Sequence, residues 1–224
     1  MDDSRRWISR HGNGLLDSET VLNPDRISSH ADKLIRVLRN NRSLTVFEQT
    51  VLDNDFKEVQ TYIDNIIPGT FEFSVDGEFY VQSGRKLKIG NLATGSKMFS
   101  IIKILLEKGE IDASTMLILD EPEAHLHPQW QNAFAEVIAL LVSKLNVNVL
   151  LTTHSPNFML ALDASMRKYK LEDRTNFYQT DVLEDGFVRY SCVNDDIGKI
   201  YQDFAKYLSE AKMLRNRYLY PFEE

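Results

Sequence analysis

The sequence predicts an α/β fold: a parallel sheet flanked by helices, with a small helical and antiparallel β subdomain upstream. Two patterns carry this expectation. Beyond residue 91, short apolar strands alternate with amphipathic helices, as in βαβ units that build a parallel sheet. Before it, helical spacing gives way to period-two alternation, the mark of hairpin strands with one wet face. A chain of 224 residues, 43% of them hydrophobic, can bury one substantial core, or one large lobe and a small appendage.

Residues 1–26 are polar and turn-rich, with Gly12, Gly14 and Pro24, and are expected to form a loop or leader. Ile27, Ala31, Leu34, Ile35 and Leu38 then mark one amphipathic helix, and Leu52, Phe56, Val59, Ile63 and Ile66 a second that ends before Pro68-Gly69. From Thr70, the residues Phe71, Phe73 and Val75 alternate, Asp76-Gly77 offers a hairpin turn, and Phe79, Val81, Leu87 and Ile89 continue the alternation. Residues 27–90 are thus read as a helical and β-hairpin subdomain.

The remainder, 91–224, is read as a carboxyl-terminal lobe. It runs helix (about 95–108), strand Met116 to Leu119, helix (about 128–144), strand Val147 to Leu151, and helix from Pro156. On the helix from 128, Trp130, Phe134, Val137, Ile138, Leu141 and Leu145 share one face, with Asn132, Glu136 and Ser143 opposite. Both strands are almost wholly apolar, which predicts helices on both faces of the sheet. A last series, Ile197, Ile200, Tyr201, Phe204 and Leu208, predicts a terminal helix for packing or for docking a partner subunit.

Charge and cysteine usage narrow the function classes. A net charge of −7 argues against a constitutive nucleic-acid coat, since phosphate binding leans on surplus Lys and Arg. Two local clusters, Arg36, Arg39 and Arg42, and Arg167, Lys168 and Lys170, are more simply solvated helix faces. The amino terminus has no apolar signal region, and the most apolar stretch, Phe134 to Leu141, is interrupted by Glu136, so no membrane span is expected. The single Cys192 has no partner for a disulfide within the chain, which fits a cytoplasmic location.

In a parallel sheet ligands bind at the carboxyl ends of the strands, and the chemistry-bearing residues fall there. The first strand runs Met116-Leu117-Ile118-Leu119 into Asp120-Glu121. Alone, this is more simply a strand entering an acidic turn before Pro122. The next strand ends Leu150-Leu151-Thr152-Thr153-His154-Ser155-Pro156, which places His154 at the same edge as the two acids. A helix-capping turn at Ser155-Pro156 is the plainer account of that run. Upstream, Asn91-Leu92-Ala93-Thr94-Gly95-Ser96-Lys97 opens a helix with small residues, whose exposed N–H groups and positive dipole end suit a phosphate. His125 and His127 lack enough neighbouring ligands for a metal site.

The order small-residue helix start, strand ending Asp-Glu, strand ending in His resembles the signature, Walker B and H-loop of ABC-type ATPases. Asp120-Glu121-Pro122-Glu123-Ala124-His125-Leu126-His127-Pro128 and the Thr-Thr-His-Ser-Pro run are similar to the SMC/RecF-like and OLD-like branch, including PtuA-like ATPases of anti-phage systems. The resemblance covers residues ~87–165, and implies ATP and Mg²⁺ as ligands. Ala93, Thr94, Gly95 and Ser96 would occupy the signature, residues 124–128 the D-loop region. Asp120 would hold Mg²⁺, Glu121 would activate the attacking water, and His154 would contact the γ-phosphate.

Two departures follow. Ala93 stands where the signature carries Ser, and no G-x-x-x-x-G-K-[ST] phosphate loop occurs. The resemblance therefore implies the carboxyl-terminal half of an ATPase head, completed by a P-loop lobe and working as a homodimer. Only 70 residues follow His154, without the acidic constellation of an OLD-type nuclease domain, so an effector nuclease is expected to be a separate subunit. The competing reading is a silent ATPase-like scaffold that binds a protein or nucleic acid.

Overall fold

Apolar side chains at helical spacing build α1 (His30–Arg39) and α2 (Asn54–Ile66). Leu34, Leu38, Phe56, Val59 and Ile63 are buried, as a 3.6-residue period requires. The computed structural model describes residues 30–39, 54–74 and 76–219; the expected leader 1–26, and Ile27, Arg42, Leu52 and Val75, lie outside the described residues. The chain divides after Ser165 into two compact units.

The period-two segment forms a three-stranded antiparallel sheet, β1 (Thr70–Ser74), β2 (Gly77–Gln82) and β3 (Arg85–Lys88), in the order β1-β2-β3. Ser74 pairs with Gly77 across the first turn, so Gly77 opens β2 and the turn falls one residue earlier than Asp76-Gly77 predicts. The second turn is Ser83-Gly84, with φ of 50° and 74°, the left-handed pair favoured where a two-residue hairpin must match strand twist. Gly69, just ahead of β1, has to be glycine: a Cβ there would lie 2.5 Å from the Val81 carbonyl oxygen.

The lobe that follows holds α3 (Thr94–Glu107), β4 (Met116–Asp120), α4 (Pro128–Leu145), β5 (Asn148–Thr152) and α5 (Pro156–Lys168). β4 and β5 pair in parallel, Leu117 opposite Val149 and Leu119 opposite Leu151, with α4 as the crossover. Phe99 of α3, Phe134 of α4 and Phe158 of α5 are each at most 1% exposed. Phe134 stands edge-on to Phe99 at 5.2 Å and tilted to Phe158 at 6.2 Å. This aromatic stack ties together the three helices whose amino termini border the site.

Two expectations need correction. The α4 core face is wider than the predicted stripe, because Ala135, Ala139 and Leu140 are also buried, while Trp130 remains 41% exposed despite its edge contact with Phe99. Nor are both faces of the parallel sheet covered among the described residues: Leu117 and Leu119 are buried, but Leu150 on the opposite face is 52% exposed. With two strands and one crossover helix, only one face gains a layer.

The second unit contains the hairpin β6 (Tyr178–Val182) and β7 (Val188–Cys192), then α6 (Ile197–Leu219). Asn194 fixes the base of the hairpin, accepting from the Phe177 N–H at 2.7 Å and donating to the Thr175 carbonyl at 3.0 Å. α6 begins where the apolar series predicts. Cys192 is free and exposed.

Lys103 staples α3 to the end of α2. Its side chain is 5% exposed, and its ammonium meets Asp64 at 2.7 Å, the Ile67 carbonyl at 2.8 Å and the Gly69 carbonyl at 2.7 Å. Burial pushes the nearby Glu107 carboxyl above its ordinary value, against the pull of Lys103. Lys103→Met keeps the stem but strands these acceptors, and is predicted to cost about 3 kcal/mol. The shift in urea midpoint at constant slope measures it.

Candidate functional site

Parallel pairing carries the two strand ends to one edge. The last register pair is Asp120 opposite Thr152, and the Thr152 hydroxyl donates to Asp120 Oδ1 at 2.5 Å. The chain then leaves β4 abruptly, with Glu121 at φ 43°, a left-handed conformation uncommon outside glycine that persists where the surrounding structure over-determines the backbone. The Glu121 N–H donates to the Thr152 carbonyl at 3.1 Å and lies 3.2 Å from its hydroxyl oxygen. This turn delivers the Glu121 carboxylate to His154, with Oε1 and Nε2 3.2 Å apart. The His154 side chain is 86% exposed and that of Glu121 45%, so the pair faces solvent.

After Glu121 the chain makes consecutive turns, with the Ala124 N–H donating to the Glu121 carbonyl at 3.1 Å and the Leu126 N–H to the Glu123 carbonyl at 2.8 Å. His127 ends this segment as the cap of α4: its Nδ1 accepts from the Gln129 N–H at 3.3 Å, with Pro128 at the first helical position. No cluster of three or more His, Cys, Asp or Glu suited to a metal occurs among the described residues.

Ser155 caps α5 as the plainer reading expects, its hydroxyl oxygen accepting from the Phe158 N–H at 3.2 Å. The two readings of that run are compatible, because the cap uses Ser155 and leaves the His154 imidazole at the edge. Ala93, extended at φ −54° and ψ 142°, precedes α3 without a side-chain cap, and Thr94, Gly95 and Ser96 form its first turn. A Cβ on Gly95 would lie 2.6 Å from Leu126 Cδ2. Gly95 thus meets the turn that follows Glu121, whereas Asp120, Glu121 and His154 gather at the strand ends.

Three residues of the site escape the sequence reading. Thr152 orders both acids. Gln131 bridges the turn to the His154 segment, donating to the Leu126 carbonyl at 3.1 Å and accepting from Ser155 Oγ at 2.8 Å. Glu123 is 4% exposed; its Oε1 accepts from the Thr153 hydroxyl and from the His154 N–H at 3.3 Å. The only signal for Glu123 was a third acid two positions beyond Glu121. Of the basic residues singled out in the sequence, Arg39 pairs with Glu78 at 2.5 Å, and Lys168 lies over the Tyr169 ring at 5.2 Å.

Residues 18–161 match the family described as "AAA domain, putative AbiEii toxin, Type IV TA system". The chain belongs to this AAA-domain family. An AAA domain is an ATPase domain. A search of curated proteins finds no match. Among solved structures, the chain is similar to the SMC head domain from Thermotoga maritima, with 15% identity and a TM-score of 0.44, covering 72% of this chain and 51% of that one. The match thus spans about half the length of that head domain. Two further structures resemble it. One, from work on ATP-driven dimerization and DNA-stimulated activation of SMC ATPases, has 13% identity and a TM-score of 0.46, covering 71% of this chain and 96% of that one. The other, an SMC head bound to the C-winged helix domain of ScpA, has 12% identity and a TM-score of 0.44, covering 65% and 43%. No helix among the described residues is long and apolar enough to cross a membrane.

Thr152→Val keeps the β-branched shape that suits a strand while removing the hydroxyl that holds Asp120. It is predicted to lower stability by about 0.5–1.5 kcal/mol, read from denaturant unfolding. An unchanged midpoint would mean that water replaces the hydroxyl without loss.

Proposed function

We propose that the chain is the nucleotide-sensing and hydrolysis half of an ABC-type ATPase, working as an ATP-gated switch. The observation that carries this reading is the Glu121–His154 pair, a carboxylate and an imidazole 3.2 Å apart at the carboxyl edge of a parallel sheet. General-base and phosphate-oxygen donor roles require such groups within reach of one reacting phosphate. Glu121 would accept a proton from the attacking water. His154 would donate to an oxygen of the terminal phosphate.

Asp120 suits a magnesium ion because its carboxylate is exposed at the strand end and oriented by Thr152; Mg²⁺ prefers one or two carboxylates, with water and phosphate completing its shell. When bound, the ion would neutralise charge on the phosphates. The first turn of α3, Ala93 through Ser96, would present N–H groups to a nucleotide held by a second copy. Ala93 lacks a hydroxyl, so backbone groups with Thr94 or Ser96 would make that contact.

The missing element is a phosphate-cradling loop, and we assign it to a P-loop lobe, either on a longer chain or separately encoded. The exposed Leu150 face of the two-stranded sheet supports docking of further sheet and helix there, since parallel sheets are ordinarily covered on both sides. In this reading residues 27–90 form a subdomain beside the 91–224 lobe. ATP would close a homodimer of completed heads, hydrolysis would reopen it, and the motion would control a separate effector such as a nuclease. The reading extends to the OLD-like and PtuA-like branch, with anti-phage defence or DNA repair in the cytoplasm as the setting. The absent phosphate loop and Ala93 favour a second reading, a silent scaffold that holds a partner without turnover.

Glu121→Gln in the completed ATPase separates the two. It removes the base and spares Asp120, so turnover should fall by about 10²–10⁴-fold while ATP stays bound and the dimer stays closed on a sizing column. Unchanged turnover would remove Glu121 from the mechanism.

A further inference from the structure

We infer that Glu123 is the positioning residue for His154, a role that rests on the reading above in which His154 contacts the terminal phosphate. An imidazole that is 86% exposed has almost no packing to hold it, so its place must be set through its backbone. Glu123 supplies that hold from within the protein. Its Oε1 accepts from the His154 N–H and from the Thr153 hydroxyl, and Thr153 Oγ1 in turn accepts from the Ser155 N–H at 3.0 Å. One carboxylate oxygen thereby fixes three consecutive residues centred on His154.

The same carboxylate belongs to the turn that begins at Glu121. The carbonyl of Glu121 accepts from the Ala124 N–H and that of Glu123 from the Leu126 N–H, so Glu123 shares a turn with the carboxylate that His154 meets. His154 and Glu121 are then held at 3.2 Å by two links, one direct and one through Glu123. Gly95 closes on Leu126 of this turn, which makes the turn the shared support of the α3 start and of His154.

A purely structural residue would not be built this way. Glu123 Oε2 is buried without a hydrogen-bond partner among the described residues, and such an oxygen is costly to bury. A leucine of similar volume would avoid that cost. The carboxylate stands at a position where its other oxygen orders the exposed His154.

Amide exchange on the isotope-labelled 224-residue chain tests the geometry. Glu123→Leu should speed exchange at His154 and Ser155 by about tenfold, the loss of one hydrogen bond, while Leu119 and Leu151 keep their protection and the unfolding midpoint is unchanged or raised. Glu123→Gln, which retains an acceptor oxygen, should stay near the parent. Unchanged exchange at His154, or faster exchange spread evenly over β4, β5 and α4, would overturn the proposal. In the completed ATPase, Glu123→Leu should lower kcat with KM for ATP unchanged, and Glu123→Gln should restore it. Turnover that responds to His154→Ala but not to Glu123→Leu also overturns the positioning role. Turnover indifferent to both His154→Ala and Glu121→Gln would instead overturn the functional reading, leaving the exchange data to decide the hold on His154.

Discussion

The in-register parallel pairing of β4 with β5 is the constraint on which the site depends. A strand presents alternate residues to alternate faces, so a one-residue slip would turn Leu117 and Leu119 out of the core and carry Asp120 away from Thr152. The register is held by the burial of Leu117 and Leu119 on one face, by α4 as crossover, and by the stack of Phe99, Phe134 and Phe158. The polar contacts at the strand ends are its consequence. Thr152 reaches Asp120 and the Glu121 N–H because those residues lie opposite one another.

Local backbone geometry then converts a strand end into a site. Glu121 adopts a left-handed φ, which breaks the extended line of β4 and brings its carboxylate across to β5. The turn it begins is secured on two sides, by Glu123 to the Thr153–His154 segment and by Gln131 to Ser155. Rigidity at the edge comes from buried or half-buried groups, while the two groups suited to chemistry, Glu121 and His154, face water.

What the sequence makes legible is what its periodicity controls. Apolar runs of fixed length place Asp120, Glu121 and His154 at strand ends, and the i, i+4, i+7 spacing places Phe134 and Val137 in the core. Contacts that depend on register and on a single backbone torsion are not legible in this way. Nothing local distinguishes Glu123, in Pro-Glu-Ala-His, from an exposed acid in a polar turn; its burial follows from the path that the chain takes after Glu121. The β6–β7 hairpin is equally hard to read, because Tyr178, Val182, Val188 and Tyr190 are all exposed and no buried face imposes a pattern. Coverage of the sheet illustrates the opposite error: strands apolar on both faces predict two layers, and the described residues supply one.

The account stands on the claim that the Asp120–Glu121–His154 edge is half of a nucleotide site, completed by a P-loop lobe. The direct measurement is magnesium-dependent ATP hydrolysis by the 224-residue chain alone and by the same chain joined to a P-loop lobe, with Glu121→Gln as the paired control. The account predicts turnover only in the joined form and its loss in the control. Turnover by the chain alone, or turnover in the joined form that survives Glu121→Gln, would contradict it.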